Sequence, residues 1–417
     1  MRLLLPTILT AALLVAPPLA AQLALPQVRL PDPVDVTGEV GDRVGDILER
    51  TDAELRREAQ RLLDLRARAT RRLLRDHPDS IEADARGDLA RRGELLLQGA
   101  TEADLAALRR ASFVVLSTEQ IKGLDLAVVR LGIPAGLPLA KAENLARGLA
   151  PGADVTADHL HFQSGTAGLS PAATGTPLLV MMQAATIAAE VGVIDSAPSA
   201  AIATTATRGF AKGAPKPANH GSAVASLLRS AGVARVRVAD VYGADPAGGN
   251  ALAIARALGW LVASGTRVVT ISLVGPKNAV IGNAVTAAQR KGVTVVAAVG
   301  NDGPAAPPAY PASYPGVVAI TGVDARGRAL IEAGRALNLD YAAPGADVYA
   351  LDARGKRVRW RGTSFAAPLA AARLAAALSG GGNWRTRLDA EAQDLGNKGP
   401  DATYGRGLLC GSCARKK

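Results

Sequence analysis

From Val191 onward, short apolar runs alternate with helical patterns, and that alternation leaves few folds open to the chain. Val191–Asp195, Ala234–Val241, Val268–Leu273, Val293–Val299 and Val317–Thr321 read as buried strands rich in Val, Ile and Ala. Gly221–Ser230, Asn250–Ser264 and Asn278–Lys291 carry helical patterns between them, and a further helix begins near Ser364 and runs to Leu378. Strands this apolar need cover on both faces, which helices supply in a doubly wound parallel α/β sheet. In such sheets polar chemistry collects at the carboxyl ends of strands and at helix N-termini.

The rest of the composition fits that frame. The chain has 417 residues, 48% of them hydrophobic and only 3% aromatic, with 44 glycines. That is enough for a large packed core, and it excludes disorder as the main state. Residues 1–188 carry 21 Lys+Arg against 23 Asp+Glu, whereas residues 189–417 carry 27 against 14. The excess positive charge therefore belongs to the second half. No basic run is interleaved with aromatics that could stack on bases, so it reads as a solvated surface and not as a nucleic-acid site.

Met1-Arg2, the apolar stretch Leu3 to Val15 and the small residues Leu19-Ala20-Ala21 make residues 1–21 an export signal peptide. The stretch is too short, and too interrupted by Pro6, Pro17 and Pro18, to span a bilayer, so no stable membrane insertion is expected. The expected location is periplasmic or extracellular. Cys410 and Cys413 would then meet an oxidising space, where a small local disulfide is the natural outcome.

Residues 22–90 read as a flexible leader followed by a charged helix from Asp46 to Asp76, with Leu48, Leu55, Leu62 and Ala69 on one stripe. The stripe alone gives it the role of a solvated helix or short spacer. Residues 91–163 then show a compact pattern: a strand Glu94–Gln98, a helix capped by Thr101 and running to Arg110, strands Phe113–Leu116 and Leu124–Leu131, a helix opened by Pro138, and a strand around Val155. The order β-α-β-β-α-β is the ferredoxin-like arrangement. Residues 164–417 form the second, larger domain, entered through the Gly/Ser/Pro/Ala-rich stretch Ser164 to Pro177.

Three polar residues stand where the larger domain would place chemistry. Asp195 ends an apolar strand, His220 starts a helix, and Ser364 lies in the first turn of another. A serine hydroxyl needs a neighbouring base to act as a nucleophile, histidine can take and return its proton, and an ionised aspartate fixes the imidazole. Asn301, in the turn Val299-Gly300-Asn301-Asp302-Gly303, could offer an amide to a developing oxyanion, with the Ser364 backbone N–H as second donor.

Together these segments resemble the subtilisin-like serine peptidases, the subtilases. Val-Ile-Asp195-Ser, His220-Gly-Ser-Ala-Val-Ala and Gly-Thr-Ser364-Phe-Ala-Ala-Pro stand in that family's chain order. Ser272-Leu273-Val274-Gly275-Pro276 resembles its substrate-binding segment, and Ala297-Ala298-Val299-Gly300-Asn301 the segment carrying its oxyanion asparagine. Tyr310-Pro311-Ala312, Ala343-Pro344-Gly345, Asp394-Leu395-Gly396 and Tyr404-Gly405-Arg406-Gly407 are similar to further landmarks, so the likeness runs from about Val191 to Leu408.

The resemblance implies a serine endopeptidase with Asp195, His220, Ser364 and Asn301 as catalytic residues. Ser272, Leu273, Val274, Gly275, Ala298 and Gly300 would bind substrate. It also implies a ferredoxin-like propeptide acting as intramolecular inhibitor, with Val155 to His161 at its end and self-cleavage at about residues 162–166. The expected partner is a protein or peptide substrate, and no cofactor or metal is implied. Ser222 stands where the family usually has threonine and keeps a hydroxyl. Val274 replaces a common glycine and should narrow the groove. Only 25 residues separate Asp195 from His220, leaving short loops with little room for the family's calcium sites. The alternative is a catalytically silent basic binding module that keeps the fold.

Overall fold

The structure, a computed structural model, describes residues 38–163, 166–167 and 186–410. The expected signal peptide, most of the Ser164–Pro177 stretch and Cys413 lie outside the described residues.

The chain is first described in the helix α1 (Gly38–Asp76). Its Leu73 and Leu74 pack against Ile81, Leu89, Leu160 and Ala247. Of the stripe expected on it, Leu62 is half-buried and Ala69 exposed. A straight helix turns about 20° per heptad away from a strict seven-residue repeat, so a long contact face cannot follow that spacing.

The strands β1 (Ile81–Ala83), β2 (Leu89–Gln98), β3 (Val114–Ile121), β4 (Leu126–Gly132) and β5 (Asp154–His159), with helices α2 (Glu102–Arg110) and α3 (Leu139–Leu149), make a small α+β unit. β2 pairs with β4 and β5, β3 lies beyond β4, and every pair is antiparallel. This is the expected ferredoxin-like order, with β1 added and β2 beginning at Leu89 instead of Glu94. Thr101 and Asp104 close a capping box on α2. Pro138 is the N-cap of α3 and not its first helical residue. Leu95, Leu97, Leu108, Phe113, Leu131 and Leu139 fill the core between helices and sheet.

Two short strands follow, β6 (Phe162–Gln163) and β7 (Thr166–Ala167). The larger unit then runs β8 (Ile187–Asp195), β9 (Ala206–Gly209), α4 (Asn219–Ser230), β10 (Val233–Asp240), α5 (Ala251–Ala263), β11 (Val268–Ile271), β12 (Leu273–Val274), α6 (Ala279–Arg290), β13 (Thr294–Ala298), β14 (Val318–Val323), β15 (Tyr341–Pro344), β16 (Val348–Leu351), β17 (Arg357–Arg361), α7 (Thr363–Ser379) and α8 (Trp384–Glu391). Seven strands form one parallel sheet in the order β15-β14-β13-β11-β8-β10-β9. α5 and α6 bury one face, with residues such as Leu258, Ile281 and Val285, and α4, α7 and α8 the other, with Val224, Ala371 and Leu388. The run read as one strand, Val268–Leu273, breaks at Ser272 into β11 and β12, and that break frees Ser272 to face the α7 N-terminus.

The small unit sits on α5 and α6. Leu96, Ile121, Leu124 and Val128 join the core formed by those helices. Both helix N-termini meet β5. Asn250 caps α5, and the next free amide, that of Leu252, donates to Asp158 Oδ1 at 3.0 Å. Asn278 caps α6 and sends its own amide to Thr156 Oγ1 at 3.1 Å and to the Ala157 carbonyl at 2.9 Å. Among the described residues no helix is long and apolar enough to cross a membrane.

Candidate active site

β8 lies inside the parallel sheet, between β11 and β10, and delivers Asp195, fully buried, at its carboxyl end. His220 is in the first turn of α4, with Nδ1 2.8 Å from Asp195 Oδ2. An ionised carboxylate can only accept, so Nδ1 carries the hydrogen and Nε2 is left as the basic nitrogen. The other carboxylate oxygen, Oδ1, accepts the Ser196 N–H at 2.7 Å and the Ser196 hydroxyl at 3.2 Å.

Close approach of α4 to the end of β8 makes this pairing possible. A Cβ on Gly221 would fall 2.0 Å from the Ser196 carbonyl oxygen, so no other residue fits between helix and strand. The Gly221 N–H donates to Ser196 Oγ at 3.0 Å, which ties the helix to the aspartate through one hydroxyl. The hydroxyl that Ser222 keeps donates to the Ala218 carbonyl at 2.7 Å and accepts the Ser199 N–H at 2.9 Å.

Ser364 is the second residue of α7, where the positive end of the helix dipole lies. Its Oγ is 3.2 Å from the Ser272 carbonyl. The ring of the next residue, Phe365, packs against the His220 ring with centroids 5.4 Å apart, which ties the start of α4 to the start of α7. Pro368 stands four residues after Ser364 and has no N–H to give the Ser364 carbonyl. The Ser272 hydroxyl supplies that bond from outside the helix, at 2.9 Å.

Asn301 is oriented by its acceptor end. Its Oδ1 takes the Thr363 N–H at 2.9 Å and the Thr363 hydroxyl at 3.2 Å. Its Nδ2 is buried and has no hydrogen-bond partner. A buried amide donor left unpaired beside a helix N-terminus is costly unless it serves a group that develops during reaction. Gly300, with φ +87°, turns the chain out of the sheet, and its carbonyl accepts the Thr363 hydroxyl at 3.1 Å. Ala298 ends β13 inside the core.

The remaining expected binding residues meet the chain's own Phe162–Gln163. Leu273 pairs with Gln163 and Val274 with Phe162, antiparallel. Val274 lies against Gly300, from whose ideal Cβ position its Cγ1 is 3.1 Å. Gly275 exchanges backbone hydrogen bonds with Tyr310, at 2.9 and 3.1 Å. A Cβ on Gly275 would lie 2.6 Å from the His161 ring. His161 is fully buried, and neither of its ring nitrogens has a partner. Burial, with His159 nearby, pushes its imidazole down to about 3, a pull the His159 and Pro276 backbones only partly oppose. On its other side the strand is held by the Gly249 carbonyl, 2.8 Å from the His161 N–H, and by the Tyr242 hydroxyl, 2.7 Å from the His161 carbonyl.

β7 pairs with β17: Thr166 opposite Arg361 and Ala167 opposite Trp360.

Four neighbours of the site were not assigned from the sequence. Gln163 Nε2 donates to Asp195 Oδ1 at 2.9 Å and to Ser196 Oγ at 3.1 Å. Leu62 of α1 lies over Gly303, and Arg66 is 3.4 Å from Asp302, so α1 rests on the loop that carries Asn301 and is more than a solvated spacer. Ser196 had one available signal, a small hydroxyl residue directly after the strand-ending aspartate. Among the described residues no group of three or more His, Cys, Asp or Glu could hold a metal ion.

Residues 191–407 match the model of the subtilase family, Peptidase S8. The chain is 30% identical over 200 residues to subtilisin E of Bacillus subtilis (strain 168), covering 46% of this chain and 51% of that one. It is 31% identical over 204 residues to M-protease of Shouchella clausii (strain KSM-K16), covering 46% and 53%. It spans about half the length of the curated relatives it matches. Among solved structures, fervidolysin from Fervidobacterium pennivorans, described as a keratinolytic enzyme related to subtilisin, superposes with a TM-score of 0.64 at 16% identity, over 81% of this chain and 63% of that one. That likeness shows the fold. With the family model matching more than half of its residues, and the order of Asp195, His220 and Ser364 set on the sheet and helix ends described above, the chain belongs to the subtilase family.

Proposed function

We propose that this protein is an exported serine endopeptidase made as a self-processed zymogen. Ser364 Oγ attacks the peptide carbonyl while His220 Nε2 takes its proton, and Asp195 stabilises the imidazolium. The oxyanion is held by Asn301 Nδ2–H and the Ser364 N–H. The imidazolium then protonates the leaving amine, and water, deprotonated by the same histidine, hydrolyses the acyl-enzyme.

The observation that carries this reading is the seating of Phe162–Gln163 as an added strand on Leu273–Val274, next to Ser272, whose carbonyl is 3.2 Å from Ser364 Oγ. A peptide laid in the groove by main-chain pairing is how an endopeptidase holds a substrate or an inhibitor. We assign self-cleavage to the Ser164–Gly165 bond, just past the paired residue Gln163 and before β7. Residues 22–164 then form the leader, α1 and inhibitory propeptide, and the mature enzyme begins at Gly165.

The test is the Ser364→Ala full-length protein beside the wild type. The wild type should convert to a shorter form beginning at Gly165 and hydrolyse casein. The variant should remain full length and inactive. A variant that matures by its own activity would overturn the assignment, and a wild type that never matures would favour a binding module.

A further inference from the structure

The catalytic reading leaves one contact unused. Gln163 reaches from the groove to the fully buried Asp195 and gives its amide hydrogens to Asp195 Oδ1 at 2.9 Å and to the buried Ser196 hydroxyl at 3.1 Å. Both atoms accept, so the nitrogen end of the amide must face them. The backbone of Gln163 is fixed opposite Leu273, which leaves the side chain only its own length to cover this reach.

We propose that this seat, between Asp195 Oδ1 and Ser196 Oγ, is a specificity subsite that selects glutamine in the residue just before the scissile one, in substrates as in the protein's own precursor. The proposal rests on the reading of Asp195, His220 and Ser364 as a triad and adds the class of side chain that the site prefers.

The chemistry of the alternatives separates them. Methionine has similar length but no donor, so it covers the two oxygens without bonding either. Asparagine is one methylene short. Glutamate brings a second carboxylate against Asp195, and the like charges repel in a site shielded from water. Lysine or arginine competes with His220 for the aspartate's charge. A glutamine amide donates to the carboxylate while leaving it ionised and Oδ2 available to His220.

The experiment uses enzyme matured from the full-length chain and four internally quenched peptides with the sequence His-Phe-X-Ser-Gly-Thr-Ala, where X is Gln, Met, Ala or Glu. A hydrogen bond to a buried charge should favour Gln over Met by about tenfold or more in kcat/KM, with Glu the slowest. Full-length Gln163→Glu should mature more slowly than wild type, and Gln163→Met should fall between. Equal kcat/KM for the Gln and Met peptides, with all four cleaved, would overturn the subsite and leave the peptidase reading intact. Cleavage of none of them, with no maturation of the wild type, would overturn the triad and the subsite with it.

Discussion

The Ser272 hydroxyl donates at 2.9 Å to the carbonyl of Ser364, the one acceptor in the first turn of α7 that Pro368 cannot bond. Ser272 thus meets Ser364 twice, through this bond and through its own carbonyl, 3.2 Å from Ser364 Oγ. Ser272→Ala should remove this bond to the buried Ser364 carbonyl, at about 1–3 kcal/mol in stability by chemical denaturation. Pro368→Ala returns an N–H to that carbonyl, so the double variant should be more stable than the sum of the single effects. Additive losses would show that the two residues are not coupled.

Asn301→Ala removes the unpaired buried Nδ2 and should lower kcat by about 10²–10³ with little change in KM, a magnitude taken from the corresponding donor in subtilisin, to which this chain is related. Steady-state kinetics on a quenched peptide reads it. A rise in KM at constant kcat would place Asn301 in ground-state binding instead.

Gly221→Ala should fail to make a stable precursor. The new methyl would stand 2.0 Å from the Ser196 carbonyl oxygen, and backbone cannot give way there as a flexible side chain would. The expected cost is about 1–3 kcal/mol or more, together with loss of the His220–Asp195 geometry. Maturation at the wild-type rate would show that α4 can move away from β8 without harm.

The grip of the propeptide on the groove should depend on pH. His161 is held neutral when seated, with its imidazole at about 3, and should protonate near 6.5 once released. The released state therefore binds the extra proton between those values, and affinity falls as pH drops below about 6.5, by up to tenfold per unit. Asp158, which accepts the Leu252 N–H at the start of α5, acts in the opposite sense. Burial raises its carboxyl to about 6, so docking takes up a proton and affinity rises as pH falls from about 6 towards 4. Asp84 stays ionised throughout: burial alone would raise it, but hydrogen bonds from His159 and the Asp88 and Arg86 amides hold it at about 2. Inhibition of mature enzyme by the cleaved propeptide, measured from pH 7 to 4, should weaken more steeply in Asp158→Asn than in wild type. His161→Leu should lose the acid-side weakening. Parallel pH profiles for all three would contradict these assignments.

Much of the fold could be read from residues 191–378 because buried parallel strands and amphipathic helices write their periods locally. The places of Asp195, His220 and Ser364 at element ends were legible because each stands in a distinctive segment. The rest depends on packing between distant segments. Gln163 reaches Asp195 only once β6 is seated on β12, and nothing near Gln163 in the chain announces it. The docking of Leu62 on Gly303 is equally invisible, since a charged helix with a leucine stripe looks the same free or docked. The β16–β17 hairpin did carry a signal, with Val358 and Trp360 alternating with arginines, and Asn383 marked the start of α8 as an N-cap. The expected disulfide concerns Cys410, which is disulfide-bonded and packs with Phe365 and Leu369 beneath the α7 N-terminus; Cys413 is the only other cysteine in the chain.

The central claim is that Ser364 is the activated nucleophile of a peptidase. Matured protein treated with a fluorophosphonate and digested for mass spectrometry should carry one stoichiometric adduct, on the peptide containing Ser364, and Asp195→Asn should slow its formation severely. No adduct on fully matured protein, or an adduct confined to another serine, would contradict the account.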